Sequence, residues 1–95
     1  MLYMMEWTIK SGAYDQCHDR FLKGAAPMPD GSTLLGRWHA PSSGNGWLLV
    51  ETDDPGTVYV HGAEWGDFVS WKITPVFTDE QAAALSVEGR GRRPA

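Results

Sequence analysis

TLLGRWHAPSSGNGWLLVETDDP, residues 33–55, decides how this chain folds. Residues 33–39 and 46–52 are short apolar-rich runs, each of strand length. The segment between them, APSSGN at 40–45, is turn chemistry, so the two runs pair as an antiparallel hairpin. Asp54-Pro55 then opens a helix, because the aspartate caps free amide groups and proline suits the first helical turn. Alternation within the hairpin sends Leu34, Gly36 and Trp38 with Leu48 and Val50 to one face, and Leu35, Arg37 and His39 with Trp47, Leu49 and Glu51 to the other.

The flanking segments complete the pattern. Residues 2–10, LYMMEWTIK, alternate as a strand that ends before Gly12. Residues 13–23, AYDQCHDRFLK, switch to helical spacing, with Tyr14, Cys17, Phe21 and His18 along one stripe and Gly24 as the stop. GAAPMPDG is a loop. After Asp54-Pro55 the stripe is Val58, His61, Gly62 and Trp65. VSWKITPVF, residues 69–77, alternates again, and Pro75 suits an edge strand. Thr78 with Gln81 forms a capping box for a last helix, DEQAAAL. The order β-α-β-β-α-β plus a terminal helix is the ferredoxin-like, α+β arrangement. Right-handed crossovers place both main helices on one face of a four-stranded antiparallel sheet, with the first and third strands central. Residues 1–86 are read as one domain and 87–95 as a disordered tail.

Size and charge exclude several function classes. The 95 residues make one small domain with a thin core, which favours burial shared with a second subunit. A net charge of −4 argues against nucleic acid as the partner. The arginines at 90, 92 and 93 lie in the Gly/Pro-containing tail. The single Cys17 allows no intrachain disulfide and no cysteine-based zinc site, which fits a cytoplasmic protein. No run approaches the ~18 apolar residues of a membrane span, and the apolar start lacks the leader and cleavage site of a signal peptide.

Alternation puts Leu2, Met4, Leu35, Trp47, Leu49 and Val76 on the face opposite the helices, together with Glu6, Arg37, His39, Glu51 and Lys72. The apolar members are too many for a face left in water, and the charged ones too many for a dry core. Leu35, Trp47, Leu49 and Val76 are therefore expected in a homodimer interface, sheet against sheet. The polar set has two readings: an ion-pair network within that interface, or a ligand or catalytic site. In the second, His39 or a carboxylate, Glu6 or Glu51, carries the proton. Arg37 clamps a carboxylate or enolate-like oxygen, Trp47 is an aromatic wall, and Lys72 completes the binding set. His39, Glu6 and Glu51 come from three strands without a metal-ligand spacing, so no metal is assigned and no cofactor is expected. His18 and His61 are read as packed histidines on the inner helix faces. Four of the five tryptophans are assigned to the helix-covered side, which disfavours base stacking.

YM.EW in the first strand, LLGRWH in the second, LLVETDDP from third strand to helix, then EW.D and TPV, resemble a family of small bacterial proteins classified only as a domain of unknown function. The likeness spans about residues 1–85 and rests on the combination of LGRWH with VETDDP. It implies a ferredoxin-like fold of the dimeric α+β barrel type and no particular activity. Two functions are carried forward. One is a small-molecule binding or interaction module that uses the open sheet face. The other is a cofactor-independent oxygenase or isomerase acting on a small apolar or anionic compound.

Overall fold

A computed structural model describes residues 1–95. The elements are β1 (Leu2–Ile9), α1 (Tyr14–Gly24), β2 (Ser32–His39), β3 (Asn45–Thr52), α2 (Pro55–Trp65), β4 (Val69–Val76) and α3 (Asp79–Gly91). The four strands form one antiparallel sheet in the order β2-β3-β1-β4. This is the ferredoxin-like α+β fold, with β1 and β3 central as expected. Pro75 sits on the edge strand β4, where its missing N–H costs no ladder bond to a further strand.

The core lies between the sheet and the helices. Met5, Trp7, Leu48, Val50 and Val69 from the strands pack with Cys17 of α1 and Val58 of α2. Cross-strand register puts the strand residues on one face: Met5 lies opposite Leu48 and Ile73, and Trp7 opposite Gly46 and Trp71. Gly46 is required there, because a side chain at this position would run into the Trp7 indole and the Trp38 carbonyl. Only 13 of 95 residues are buried, so the core is thin.

The helix ends follow local chemistry. Asp54 accepts the Gly56 N–H at 2.8 Å and Pro55 opens α2. Thr78 and Gln81 form a reciprocal capping box at the start of α3. That helix extends to Gly91, beyond the DEQAAAL pattern and into the segment read from sequence as a tail. None of its residues is buried. α1 includes Gly24 rather than stopping at it, and is closed by Ala25 in the left-handed region at φ 56°, with Ala26 following at φ 48°. Non-glycine residues in this region are strained, so something must hold them.

One irregularity reorders the sheet faces. β2 and β3 pair in register from Ser32–Thr52 to Leu34–Val50, then resume at Gly36–Leu49, leaving Leu35 as the extra residue of a β-bulge. Beyond the bulge, Arg37 lies opposite Leu48, Trp38 opposite Trp47 and His39 opposite Gly46. Leu48 and Gly46 belong to the helix-covered face. The bulge therefore corrects the assignment made from simple alternation: Arg37 and His39 lie under the helices, and Gly36 and Trp38 lie on the open face. Gly36 does make room for Trp38, whose indole lies over it, but on the side away from the core.

Candidate functional site

The inward turn of Arg37 and His39 builds a pocket between the sheet and the two main helices. Trp7 and Ile9 come from β1, Arg37 and His39 from β2, Leu48 from β3, and Val69 and Trp71 from β4. α1 supplies Cys17, His18 and Phe21, and α2 supplies His61 and Trp65. The cavity measures about 50 Å³. It is room for a few non-hydrogen atoms or the end of a longer molecule, well below the roughly 150 Å³ that admits a benzene ring. Aromatic and aliphatic walls with a few convergent polar groups are the usual make-up of a small-molecule site.

His39 stands at the open side, with its imidazole 5.1 Å from the Trp7 ring in an edge-on arrangement and 5.4 Å from Phe21. Burial against these rings pushes its pKa below the ordinary imidazole value, and the charges of Arg37 and then His18 push the same way. His61 lies at the far wall, 2% exposed, with its ring 5.9 Å from Trp71. Burial lowers its pKa too; Glu64 opposes that shift and Arg37 adds to it. Nδ1 of His61 has no hydrogen-bond partner. Glu64 Oε1, at 3.5 Å, lies beyond good hydrogen-bond geometry. Both imidazoles are consequently neutral at pH 7. The Trp71 indole N–H donates to the Gly62 carbonyl at 3.0 Å, which fixes the wall between β4 and α2.

Arg37 holds the left-handed turn. Its Nη1 donates to the Ala25 carbonyl at 3.1 Å and its Nη2 to the Ala26 carbonyl at 2.7 Å. A cation at the negative end of α1, bonded to carbonyls the helix leaves free, offsets the strain at Ala25 and Ala26. The guanidinium lies 5.8 Å from the Phe21 ring and pairs with no carboxylate. Burial draws its pKa below the ordinary value, yet guanidinium stays charged in proteins. Burial pushes the Cys17 thiol up, so Cys17 lines the pocket as a neutral thiol.

The polar set proposed from sequence thus divides. Arg37 and His39 enter the pocket. Glu6, Glu51, Lys72 and Trp47 remain on the open face, where Glu6 lies opposite both Trp47 and Lys72. No ion pair joins Glu6, Glu51 or Lys72 to one another or to any other group. Trp38, 54% exposed, joins them, so three tryptophans rather than four lie on the helix side. Leu35, Leu49 and Val76 of the expected interface lie at the bulge and on the open face. Sequence reasoning passes over His18 and His61 as pocket residues. The available signal is one imidazole within the apolar stripe of each helix, facing the same sheet. The histidines and Cys17 do not converge into a set that could hold a metal ion.

The family model of a domain of unknown function, DUF3303, matches residues 1–90, and the chain belongs to that family. No curated protein matches it. Two solved structures are similar. SCO4226 from Streptomyces coelicolor A3(2) is 18% identical with a TM-score of 0.46, covering 81% of this chain and 98% of its own. An uncharacterized NIPSNAP domain protein from Burkholderia xenovorans is 14% identical with a TM-score of 0.46, covering 83% and 97%.

Proposed function

We propose that this DUF3303 chain is a homodimeric small-molecule-binding protein of the dimeric α+β barrel type, with one ligand pocket per protomer between its own sheet and helices. The observation that carries the reading is the cavity under α1 and α2, where Arg37, His39 and His61 converge among aromatic walls. This moves the ligand site from the open sheet face to the opposite side of the same sheet. The open face is left to a second copy. Met4, Trp38, Trp47 and Leu49 give it an apolar centre, and unpaired Glu6, Glu51 and Lys72 give it charges of both signs that a two-fold axis can match. α3 supports the same partner, since Leu85 and Val87 are 45% and 74% exposed. No helix is long and apolar enough to cross a membrane, and the single free, buried Cys17 suits a reducing, cytoplasmic setting.

A separate observation favours a second reading. Two imidazoles held neutral in one apolar pocket can serve as proton acceptors for a bound substrate. In that reading the same site belongs to a cofactor-independent oxygenase or isomerase, with His39 as the proton carrier. A charge-blind fragment screen followed by protein-observed NMR tests the pocket itself. Saturable shifts should concentrate at Trp7, His39 and Trp71. Hits confined to Trp47 and its open-face neighbours would return the site to that face and contradict the proposal.

A further inference from the structure

The lining of the pocket is unusual for an acidic chain. Aspartate and glutamate together number 12 against 8 lysines and arginines, yet no carboxylate lines the cavity. Its one fixed charge is the Arg37 guanidinium. A buried or half-buried charge is normally paired, but Arg37 has only the Ala25 and Ala26 carbonyls, each taking one N–H. Guanidinium carries five N–H donors in a planar fork, so the rest of the fork is without a partner in the chain. Dipolar carbonyls orient the group without neutralising it. Phe21 lies beside it, and Trp7 and Trp71 line the same pocket, walls that suit a hydrocarbon body.

We infer that the pocket takes a small monoanionic carboxylate with a short apolar body, its carboxylate seated on Arg37 and its hydrocarbon part between the aromatic walls. The inference rests on the reading of the pocket as a ligand site and adds the ligand's charge and shape. A planar carboxylate accepts two parallel N–H bonds from a guanidinium fork. Arg37 is the one fixed charge of the lining, and burial disfavours the charged form of His39 and His61, which suits a monoanion better than a phosphate dianion. The cavity of about 50 Å³ limits the enclosed part to a few atoms.

Three probes of one shape and different charge decide it: butyrate, butyramide and butylammonium, titrated at pH 7 into the whole chain. The ¹H–¹⁵N spectrum reports through the Trp71 indole N–H and the backbone amides of Ala25 and Ala26. Butyrate should bind saturably and at least tenfold more tightly than butyramide, with butylammonium weaker still. Butyramide binding as tightly as butyrate would overturn the anionic assignment and leave the pocket standing as a ligand site. Silence from all three at these signals would overturn the pocket reading as well. Arg37→Gln should abolish the preference for butyrate; a folded Arg37→Gln protein that keeps it would remove Arg37 as the anchor. If that variant does not fold, the charge series on the unaltered protein still decides between an anionic and a neutral ligand.

Discussion

Gly36 and Gly46 each lie beneath an indole, on opposite faces of the sheet. At Gly46 the obstacle to a side chain is the Trp7 ring, part of the core, together with the backbone carbonyl of Trp38. At Gly36 it is the far end of the Trp38 ring, which is 54% exposed and free to swing. Gly46→Ala should therefore cost on the order of 2–3 kcal/mol in urea denaturation, as overpacking does. Gly36→Ala should cost less than about 1 kcal/mol. Equal losses would mean that Trp38 is held as firmly as Trp7. His61 sets a second expectation at this scale. Its folded pKa lies below the unfolded value of about 6.5, so the unfolded chain binds protons first as pH falls. The stability that neutral His61 contributes is intact above about pH 6.5 and is lost as pH drops from there through the folded pKa. The urea midpoint should fall between pH 7 and pH 5, and the fall should be smaller in His61→Gln. Asp67, held below its ordinary value by Arg20, stays ionised across this window and does not confuse the comparison. An unchanged slope in the variant would contradict the role given to His61.

Strands, turns and helix starts are legible because their signals are local. APSSGN can only turn, Asp54-Pro55 starts a helix whatever surrounds it, and period-2 alternation in β1 and β4 names its own faces. β2 is different. Leu34 and Leu35 are adjacent apolar residues, so the run carries two possible phases, and the one extra residue that separates them leaves no mark in composition. Simple alternation therefore places every residue after Leu35 on the wrong face, and with it Arg37, His39 and the pocket. Which phase wins is settled by partners far away in sequence: Phe21 and the Ala25–Ala26 carbonyls on one side, Trp47 on the other. The bulge is thus an adaptor that lets Leu34 and Arg37 share the helix-covered face. Deleting Leu35 sets Leu34, Gly36 and Arg37 in consecutive register against Val50, Leu49 and Leu48, so both ends of β2 keep their faces without a bulge. The deletion, like Leu35→Ala at a 50% exposed side chain, should cost less than about 1 kcal/mol. A loss above about 2 kcal/mol on deletion would mean that Leu35 is not the extra residue and that one end of β2 has been forced to the other face.

The whole molecule measures 57 × 28 × 19 Å, long for so short a chain. α3 buries nothing within its own protomer, and the open face has an apolar centre with unpaired charges. Both features expect a second copy. Sedimentation should give a dimer at micromolar concentration, and Leu49→Glu should weaken it at least tenfold more than Lys10→Glu does. A monomer throughout would rule the dimer out, and equal effects would mean that the two copies do not meet through the open face. The pocket stands on the other side of the sheet and on a single geometric claim, that the bulge turns Arg37 and His39 inward and Trp38 outward. The nuclear Overhauser contacts of the His39 imidazole test that claim most directly. They should run to the rings of Trp7 and Phe21, with Trp38 in contact with Trp47. Contacts from His39 to Trp47, and from Trp38 to Leu48, would contradict it.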